Sequence, residues 1–393
     1  MYVQYITITK RDAILCLMSS PPSYRSSTPS GSFASAVASQ NSSEGLAEAP
    51  RASSQYDFVA IGDITIDAFI ELSEKDAHVA CDIEGKPCQL MMNFGEKLPY
   101  KDVTIVNAVG NAPNASVSAH RLGLRSALVT NIGRDRYGKD CLDTLRREGV
   151  STDYVVQHEG KKTNYHYVLR YGADRTILIK HEAYPYRFPA FDAPPRYIYF
   201  SSVGEDALAF HHEIAAYVKT HPETKLVFQP GTFQIRVGYE ALKDLYEVTE
   251  IFFCNNEEAK QVLKTKENDI VQLLKGLKAL GPRIPVITDG PKGSYVLESD
   301  ENGAGNNETV WHMPMYPDPA PPLSRTGAGD AFASTFTTAI ALGKPVQDAL
   351  MWGPINSMSV VQHIGAQAGL LTREEIEKLL ASAPADYMPK QIP

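Results

Sequence analysis

The stretch SRTGAGDAFAS (residues 324–334) combines small residues with one carboxylate at the start of a predicted helix. Gly327, Ala328 and Gly329 leave backbone N–H groups uncovered, and such donors, with the positive end of the helix dipole, bind an anion. Asp330 follows them directly. A carboxylate inside an anion site is unfavourable if the anion only binds. It is useful if it takes a proton from the group that attacks the anion, so the stretch predicts an anion site with a general base.

The elements that would position this site alternate along the chain. Phe332, Phe336 and Ile340 recur every fourth position, which predicts one buried stripe on the helix after Asp330. Upstream, short apolar segments alternate with amphipathic helices: SALVTNI, YIYFSSVG, KLVFQP, EIFFCN and RIPVITDG, the last three ending in Pro, Asn or Gly. This pattern predicts an α/β fold with a mainly parallel, doubly wound sheet that helices cover on both faces.

One region interrupts the alternation. Residues 154–183 hold consecutive strand-like runs without a helix, and residues 81–106 also lack a helical period. Strand-only insertions in an α/β chain predict a small second sheet. We expect it to form a lid with strands drawn from about 64–106 and 152–183.

Composition and charge exclude several classes of protein. The chain has 393 residues and a formal net charge of −8, so it lacks the basic surplus of a general nucleic-acid binder. No apolar run approaches a membrane span. The cysteines are few, odd in number and scattered, which predicts reduced thiols in a cytoplasmic protein; they are Cys16, Cys81, Cys88, Cys141 and Cys254. Cys81 and Cys88 lack a second pair of metal ligands nearby, so plain thiols are favoured over a metal site.

The first 54 residues differ from the rest of the chain. They are rich in Ser, Ala and Pro and poor in large apolar residues, which predicts a disordered extension at 1–54. A low acid content is compatible with an organelle transit segment. A flexible tail, or a stretch upstream of a true start at Met18, explains the same composition.

The segment GRDRYGKD invites a misleading interpretation. Gly133, Gly138 and Lys139 match a P-loop after a strand and before a helix. The magnesium-binding Ser or Thr of that motif is replaced by Asp140, and Asp135 adds a second negative charge. A tight strand-to-helix turn is favoured instead.

Taken together, five segments in order resemble the ribokinase-like (PfkB) carbohydrate kinase family over roughly residues 56–382. They are GNAPNASVSAHRLG, IGRDRYGKDCLDTLRREGV, CNNEEA, ITDGPKG and the GAGD of the opening stretch. The resemblance implies a ribokinase-like domain at 55–385, followed by a tail at 386–393. It also implies an ATP-dependent kinase that uses Mg²⁺ and phosphorylates a hydroxyl of a sugar or nucleoside.

The resemblance assigns roles to the residues that match its motifs. Asp330 would be the catalytic base, and the amides of Gly327, Ala328 and Gly329 would hold the charge on the transferring phosphoryl group. Asp67, at the end of the first strand segment, would hydrogen-bond sugar hydroxyls. A strand-end Asp with no ligand is the alternative.

Three more substrate contacts follow from the segment AVGNAPNAS. Gly110 would allow the acceptor close to the backbone, and Asn111 and Asn114 would offer both donors and acceptors. Ordinary helix capping by either Asn stays open.

The nucleotide side rests on two further segments. Asn255 and Glu258 form the N-x-x-E that the family places near magnesium and phosphate, although the spacing also matches a helix capping box. Thr288, Gly290 and Gly293 would contact nucleotide, and a plain turn is their alternative.

The chain departs from the family pattern at two places. Ser324, Arg325 and Thr326 stand where the family commonly has Asp-Thr-Thr, which argues against the monovalent-cation site of many members. Arg325 would supply positive charge near the phosphates or face solvent. Val109 replaces a common glycine, so the acceptor cannot be inferred from the family.

Three questions stay open at this stage. Tyr165, His166, Tyr167 and Tyr171 would close over the acceptor or simply alternate along a strand. The other class of function is a catalytically weak member that binds nucleotide or sugar and regulates a partner. The lid strands of this family also allow a homodimer.

Overall fold

The computed structural model describes residues 55–81, 88–172, 174–299 and 308–393; the predicted extension at 1–54, with Cys16, lies outside them. The strands are β1 (Phe58–Ile61), β2 (Thr65–Leu72), β3 (Ala77–Ala80), β4 (Gln89–Met92), β5 (Tyr100–Val109), β6 (Ser126–Gly133), β7 (Val155–His158), β8 (Asn164–Tyr171), β9 (Asp174–Leu178), β10 (Tyr197–Phe200), β11 (Lys225–Phe228), β12 (Thr249–Asn255), β13 (Ile284–Thr288), β14 (Ser294–Ser299), β15 (Glu308–Met313) and β16 (Lys390–Ile392). The helices are α1 (Asn111–Arg121), α2 (Arg136–Arg147), α3 (Leu208–Thr220), α4 (Thr232–Val237), α5 (Tyr239–Glu247), α6 (Asn256–Leu263), α7 (Ile270–Ala279), α8 (Ala328–Ala341), α9 (Val346–Val361) and α10 (Arg373–Ala381).

The large sheet has the strand order β7-β6-β1-β10-β11-β12-β13-β14-β15-β16. Its strands are parallel from β7 to β13 and antiparallel from β13 to β16. The chain places β6 on one side of β1 and β10 on the other, so the winding reverses at β1. The crevice at the carboxyl ends of the strands beside such a reversal is where open α/β sheets bind ligands. The predicted mainly parallel, doubly wound sheet is confirmed.

Helices cover both faces because the parallel strands are apolar on both. On β1, Phe58 belongs to the core under α1, α2, α8, α9 and α10, whereas its neighbour Val59 belongs to the core under α3, α5, α6 and α7. Phe332 and Phe336 of α8 are buried in the first core, and Ile340 is partly buried against it. The predicted stripe on α8 is thus confirmed.

A second sheet of order β5-β2-β8-β9, here called the lid sheet, lies beside the carboxyl end of β1. The pairs β2–β5 and β8–β9 are antiparallel, and β2–β8 is parallel. The predicted lid is therefore present. However, β7, which lies inside the expected range 152–183, pairs in parallel with β6 and extends the large sheet instead. β7 has only four residues and none is fully buried, so its pattern did not separate it from the lid strands.

The interpretation of Cys81 and Cys88 as plain thiols is wrong. The two residues form a disulfide at the end of the hairpin made by β3 and β4. Antiparallel pairing of those strands brings the two sulfurs together, whereas the sequence shows only two cysteines seven positions apart. Cys141 and Cys254 are free and buried.

The last residues also differ from the expectation. Tyr387 is buried, its hydroxyl donates to the carbonyl of Met351, and β16 pairs with β15. The segment 386–393, set apart above as a tail, therefore supplies the edge strand of the large sheet; a three-residue strand leaves too short a pattern to recognise. None of the helices in the described ranges has the length and hydropathy that a membrane span needs.

Candidate active site

A cavity of about 770 Å³ lies where the parallel strands end and the lid sheet begins. Its floor comes from residues that end or directly follow the strands of the large sheet: Asp63, Ser202, Gln229, Asn255 and Thr288. The lid sheet contributes Asp67, His166, Arg175 and Ile177, and the segment after β9 contributes His181. The start of α8 closes a third side. All thirteen predicted site residues therefore line one cleft.

Asp330 lies in the first turn of α8 and is buried. Its Oδ1 accepts hydrogen bonds from Asn111 Nδ2 at 2.7 Å and from Gln229 Nε2 at 3.2 Å. Its Oδ2 accepts one from Asn114 Nδ2 at 2.8 Å. The two Asn side chains predicted to bind substrate thus contact the predicted base in this structure.

Two opposing influences act on the pKa of Asp330. Burial is the larger and raises the pKa, because it disfavours the charged form. The hydrogen bonds from the three amides and the positive charge of Arg175 lower it. The net direction is upward, which suits a group that must accept a proton.

The predicted anion hole precedes Asp330. Gly327 has φ 85°, and a Cβ at this position would lie 2.3 Å from the Cβ of Ala366, so only glycine fits. Gly329 faces open space. The N–H groups of the first helical turn have no carbonyl one turn back to bond, which leaves them available to an anion. All three residues line the cavity.

Gly110 begins α1 under a similar constraint. It has φ 125°, and a Cβ there would lie 2.6 Å from the carbonyl oxygen of Asp63. Glycine therefore allows α1 to start against the loop after β1. This packing explains Gly110 without a ligand, although the residue also lines the cavity.

Asp67 on β2 contrasts with Asp330. It is buried, and its Oδ1 accepts no hydrogen bond within the described residues. His166 Nδ1 lies 3.5 Å from that oxygen, at the limit of a hydrogen bond, and His166 Nε2 is also buried and unpartnered there. Such groups are costly to bury without a partner, and a hydroxyl group in the cavity would satisfy them.

Asp63, which the sequence analysis missed, joins the lid region to the large sheet. Its carboxylate accepts hydrogen bonds from the Tyr186 hydroxyl at 2.9 Å and from His181 Nδ1 at 2.8 Å. His181 in turn stands edge-on to Phe233. The chain GDITID shows both Asp63 and Asp67, but the partners of Asp63 lie more than a hundred residues away, so only folding reveals its role.

Asn255 and Glu258 form the capping box that their spacing predicts. Asn255 Oδ1 accepts from the Glu258 N–H, and Glu258 Oε2 accepts from the Asn255 N–H, both at 2.9 Å. Burial is the main cause that raises the pKa of Glu258. The cap uses one carboxylate oxygen of Glu258 and leaves the other for the cavity.

This donor set fits magnesium held mainly by phosphate and water. Mg²⁺ bound with nucleotide commonly takes one or two carboxylates and keeps several waters. Glu258 supplies one carboxylate, while the side-chain oxygen of Asn255 is occupied by the cap. No three His, Cys, Asp or Glu side chains in the described ranges converge as a metal site by themselves.

The predicted nucleotide residues lie at the far end of the cleft. Thr288 ends β13 beside Asn255, and Gly290 opens a short 3-10 turn with φ 51°. Gly293 has φ 90°, and a Cβ there would lie 2.1 Å from the Met313 carbonyl oxygen, so strand pairing alone requires glycine. All three line the cavity.

Arg325 links the segment before the anion hole to the lid. Its Nη1 donates to Asp174 Oδ1 of β9 at 2.8 Å. Arg170 on β8, which lies opposite Arg175 of β9, donates to the Leu323 carbonyl at 3.2 Å. The residue that replaces the family's usual Thr thus contacts the lid sheet rather than solvent alone.

Strand alternation on β8 and a helix cap on α2 decide between the alternatives for residues 165–167 and for GRDRYGKD. His166 lines the cavity, whereas the ring of Tyr165 contacts the rings of Tyr137 and Tyr167, and none of these three tyrosines lines it. In GRDRYGKD, Asp135 caps α2 by accepting from the Gly138 N–H at 2.8 Å, which confirms the tight turn.

Comparison with known proteins agrees with this architecture. Residues 93–373 match the pfkB family carbohydrate kinase profile. Ribokinase of Bacillus subtilis is 29% identical over 282 residues, which cover 69% of this chain and 87% of that enzyme. The structure of Arabidopsis thaliana ribokinase complexed with ribose and ATP superposes with a TM-score of 0.68 at 19% identity and covers 83% of this chain and 99% of that one. The Methanocaldococcus jannaschii nucleoside kinase superposes at 0.66 and 17%, covering 84% and 99%.

The family match, the structural matches and the residues that line the cleft all indicate the same family of kinases. The fold is the ribokinase fold, as the sequence analysis predicted. The chain belongs to the pfkB family of carbohydrate kinases and is a phosphotransferase that acts on a hydroxyl group.

Proposed function

We propose that the protein transfers the γ-phosphoryl group of ATP to a hydroxyl of a sugar, with Asp330 as the general base. The observation that carries this proposal is the buried Asp330 carboxylate, which follows the left-handed Gly327 at the start of α8 and faces a cleft lined by Asp67. Base, anion donors and an unpartnered acceptor-binding carboxylate lie together in one cavity.

The proposed course assigns a task to each side of the cleft. Asp67 holds acceptor hydroxyls, and its unpartnered Oδ1 is the atom that receives them. Asp330 takes the proton of the attacking hydroxyl as the new O–P bond forms and the bond to ADP breaks. The N–H groups of Gly327, Ala328 and Gly329 hold the charge on the transferring phosphoryl group. Closure of the lid sheet excludes water and so limits ATP hydrolysis.

ATP would bind toward the end of the cleft at Thr288, Gly290 and Gly293. Magnesium, when bound, neutralises charge on the phosphates. Glu258, with Asn255 at the same helix start, would hold it through the carboxylate oxygen that the capping box leaves free.

The lining of the acceptor side favours a sugar over a nucleoside. Asp67, His166, His181 and Asn111 offer polar atoms there, which match a polyhydroxylated acceptor. The lid tyrosines that could stack on a base, Tyr165 and Tyr167, contact each other and do not line the cavity, and Tyr165 also contacts Tyr137.

Magnesium-dependent ADP release tests this function. ATP would be offered with a panel of sugars, sugar acids, sugar phosphates and nucleosides to the wild type and to Asp330→Asn. We expect at least one sugar to stimulate the wild type only. ATP binding without stimulated turnover by any acceptor would favour the regulatory alternative.

We also propose that the protein is a homodimer through the outer face of the lid sheet. Ile105, Tyr167 and Leu178 are register neighbours across this sheet, with Ala68 between the first two, and are 55%, 48% and 52% exposed. An apolar row on one sheet face fits a second copy of the same face. Light scattering on the wild type should give a dimer mass, and Ile105→Lys combined with Leu178→Lys should give a monomer. A monomeric wild type would refute this interface.

A further inference from the structure

The amides that contact Asp330 are part of a longer chain of hydrogen bonds. The Tyr199 hydroxyl donates to Gln229 Oε1, and Gln229 Nε2 donates to Asp330. Tyr199 is fully buried, and burial raises the pKa of its phenol well above its ordinary value, so it stays a donor. Because its hydroxyl occupies Oε1, the N–H end of the Gln229 amide must face Asp330.

The opposite side of Asp330 is fixed in the same way. Gln367 Nε2 donates to Asn114 Oδ1 at 3.1 Å and to the Ala108 carbonyl at 2.7 Å. Asn114 and Gln367 are both buried. With Oδ1 occupied by a donor, the N–H end of the Asn114 amide faces Asp330, so this orientation is also fixed from outside.

Asn111 differs from these two amides. It begins α1, is only partly buried and lines the cavity. Its Oδ1 accepts no hydrogen bond in the described part of the chain, so its orientation rests on the bond to Asp330 alone. It shares Asp330 Oδ1 with Gln229.

From this asymmetry we propose that Gln229 and Asn114, locked by Tyr199 and Gln367, are positioning residues that hold Asp330 in place and ionised. Asn111 is the exchangeable partner, whose place at Oδ1 the acceptor hydroxyl takes before it loses its proton. This inference rests on the proposed function for the identity of the incoming hydroxyl, whereas the locked amides can be tested without any substrate.

The charges around Asp330 determine what a lost amide would do. Arg175 from β9 lowers its pKa, and Glu258 from α6 repels its charge; Tyr199, whose pKa burial raises, stays neutral. Burial is already the largest influence and raises the pKa. Removing a locked amide would therefore move the pKa further up, because one interaction that favours the carboxylate is lost.

Carbon-13 NMR of the side-chain carboxyl of Asp330 tests the inference without a ligand. The full chain is labelled at the aspartate carboxyl carbons, and the Asp330 signal is the one lost in Asp330→Asn. We expect Gln229→Leu to raise the pKa by about one pH unit or more, as the loss of one hydrogen bond to a charged group predicts. Tyr199→Phe keeps the Gln229 amide but removes the hydroxyl that donates to it. We expect this variant to raise the Asp330 pKa by a smaller amount.

Gln347→Leu is the matched control, since Gln347 donates to a different carboxylate, Glu298, at 3.1 Å. It should leave the Asp330 titration unchanged. In nitrogen-15 spectra, the side-chain amide of Asn111 should exchange with water faster than those of Asn114 and Gln229. An Asp330 pKa that is unchanged in both Gln229→Leu and Tyr199→Phe, in folded protein, would overturn the inference, as would equal exchange of the three amides.

Kinetics separate this inference from the proposed function. With any acceptor that stimulates ADP release, the acid limb of kcat/KM should move upward in Gln229→Leu and Tyr199→Phe, in step with the NMR titration. If no acceptor is found, the proposed function fails while the NMR result still decides whether the locked amides hold Asp330. A purely structural role for Gln229 would lower stability and leave both titrations in place.

Discussion

Asp330 and Asp67 are buried carboxylates that line the same cleft, and their surroundings are opposite. Asp330, on the body of the domain, accepts hydrogen bonds from three amides. Asp67, on the lid sheet, has an oxygen that accepts none within the described residues. A satisfied buried carboxylate is already organised for its task, whereas an unsatisfied one needs a ligand. Under the proposed function, this difference means that the base is organised before substrate binds and that substrate completes the acceptor site.

The largest effect should come from removing the base. Asp330→Asn keeps the shape of the side chain but cannot take a proton, so we expect kcat to fall roughly 10²- to 10⁴-fold. ATP affinity should stay close to the wild-type value, because the proposed role of Asp330 is to take a proton from the acceptor and not to bind the nucleotide. Steady-state kinetics measure the fall in kcat, and calorimetry measures the ATP affinity. A variant with the wild-type kcat would show that Asp330 is not the base.

Removing the acceptor-side carboxylate should change binding instead. Asp67→Asn replaces two acceptor oxygens by one and removes the charge, and hydrogen bonds to a charged group contribute about 1.5–3 kcal/mol. We therefore expect KM for the acceptor to rise roughly 10- to 100-fold, with a smaller change in kcat. The same loss of kcat as in Asp330→Asn, with KM unchanged, would contradict the division between the two carboxylates.

How much of this was visible in the sequence depends on the distance between partners. Asp330 and the small residues before it are contiguous, so their local pattern predicted the helix start and the candidate base. Gln229 ends the apolar segment KLVFQP, a position that should have drawn notice once a parallel sheet was predicted. Arg175 and His181 meet the cleft only because the lid sheet folds against it, and no periodicity encodes that contact.

The same reason accounts for the errors in the fold. Three features depend on which strands pair, and short segments do not specify their partners. They are the disulfide between Cys81 and Cys88, the pairing of β7 with β6 and the pairing of β16 with β15. The alternating apolar segments, by contrast, fixed the doubly wound sheet because burial on both faces leaves a pattern in each strand.

Alanine substitutions at Gly327 and Gly329 test the backbone geometry at the start of α8 through their effects on stability. Gly327→Ala forces alanine into a left-handed conformation, which costs about 1–3 kcal/mol, and adds the overlap with Ala366. Gly329→Ala meets open space in a helix and should leave stability unchanged or raise it by up to about 1 kcal/mol. Urea unfolding checks both. Equal destabilisation by the two substitutions would contradict the described geometry.

The smallest effect should come from the link to the lid. Arg325→Ala removes the exposed ion pair with Asp174, and such pairs contribute at most about 1 kcal/mol, less at high salt. We expect a thermal unfolding midpoint close to wild type and a modest rise in KM for the acceptor, because the lid sheet is held less firmly. A fall in kcat as large as that of Asp330→Asn would instead place Arg325 at the phosphoryl group.

Acceptor calorimetry in the presence of a non-hydrolysable ATP analogue tests the division between the carboxylates most directly. The acceptor identified by ADP release would be titrated into the wild type, Asp330→Asn and Asp67→Asn. The account predicts that Asp330→Asn binds the acceptor nearly as well as the wild type, while Asp67→Asn binds it much more weakly. Loss of binding in Asp330→Asn with binding retained in Asp67→Asn would contradict it.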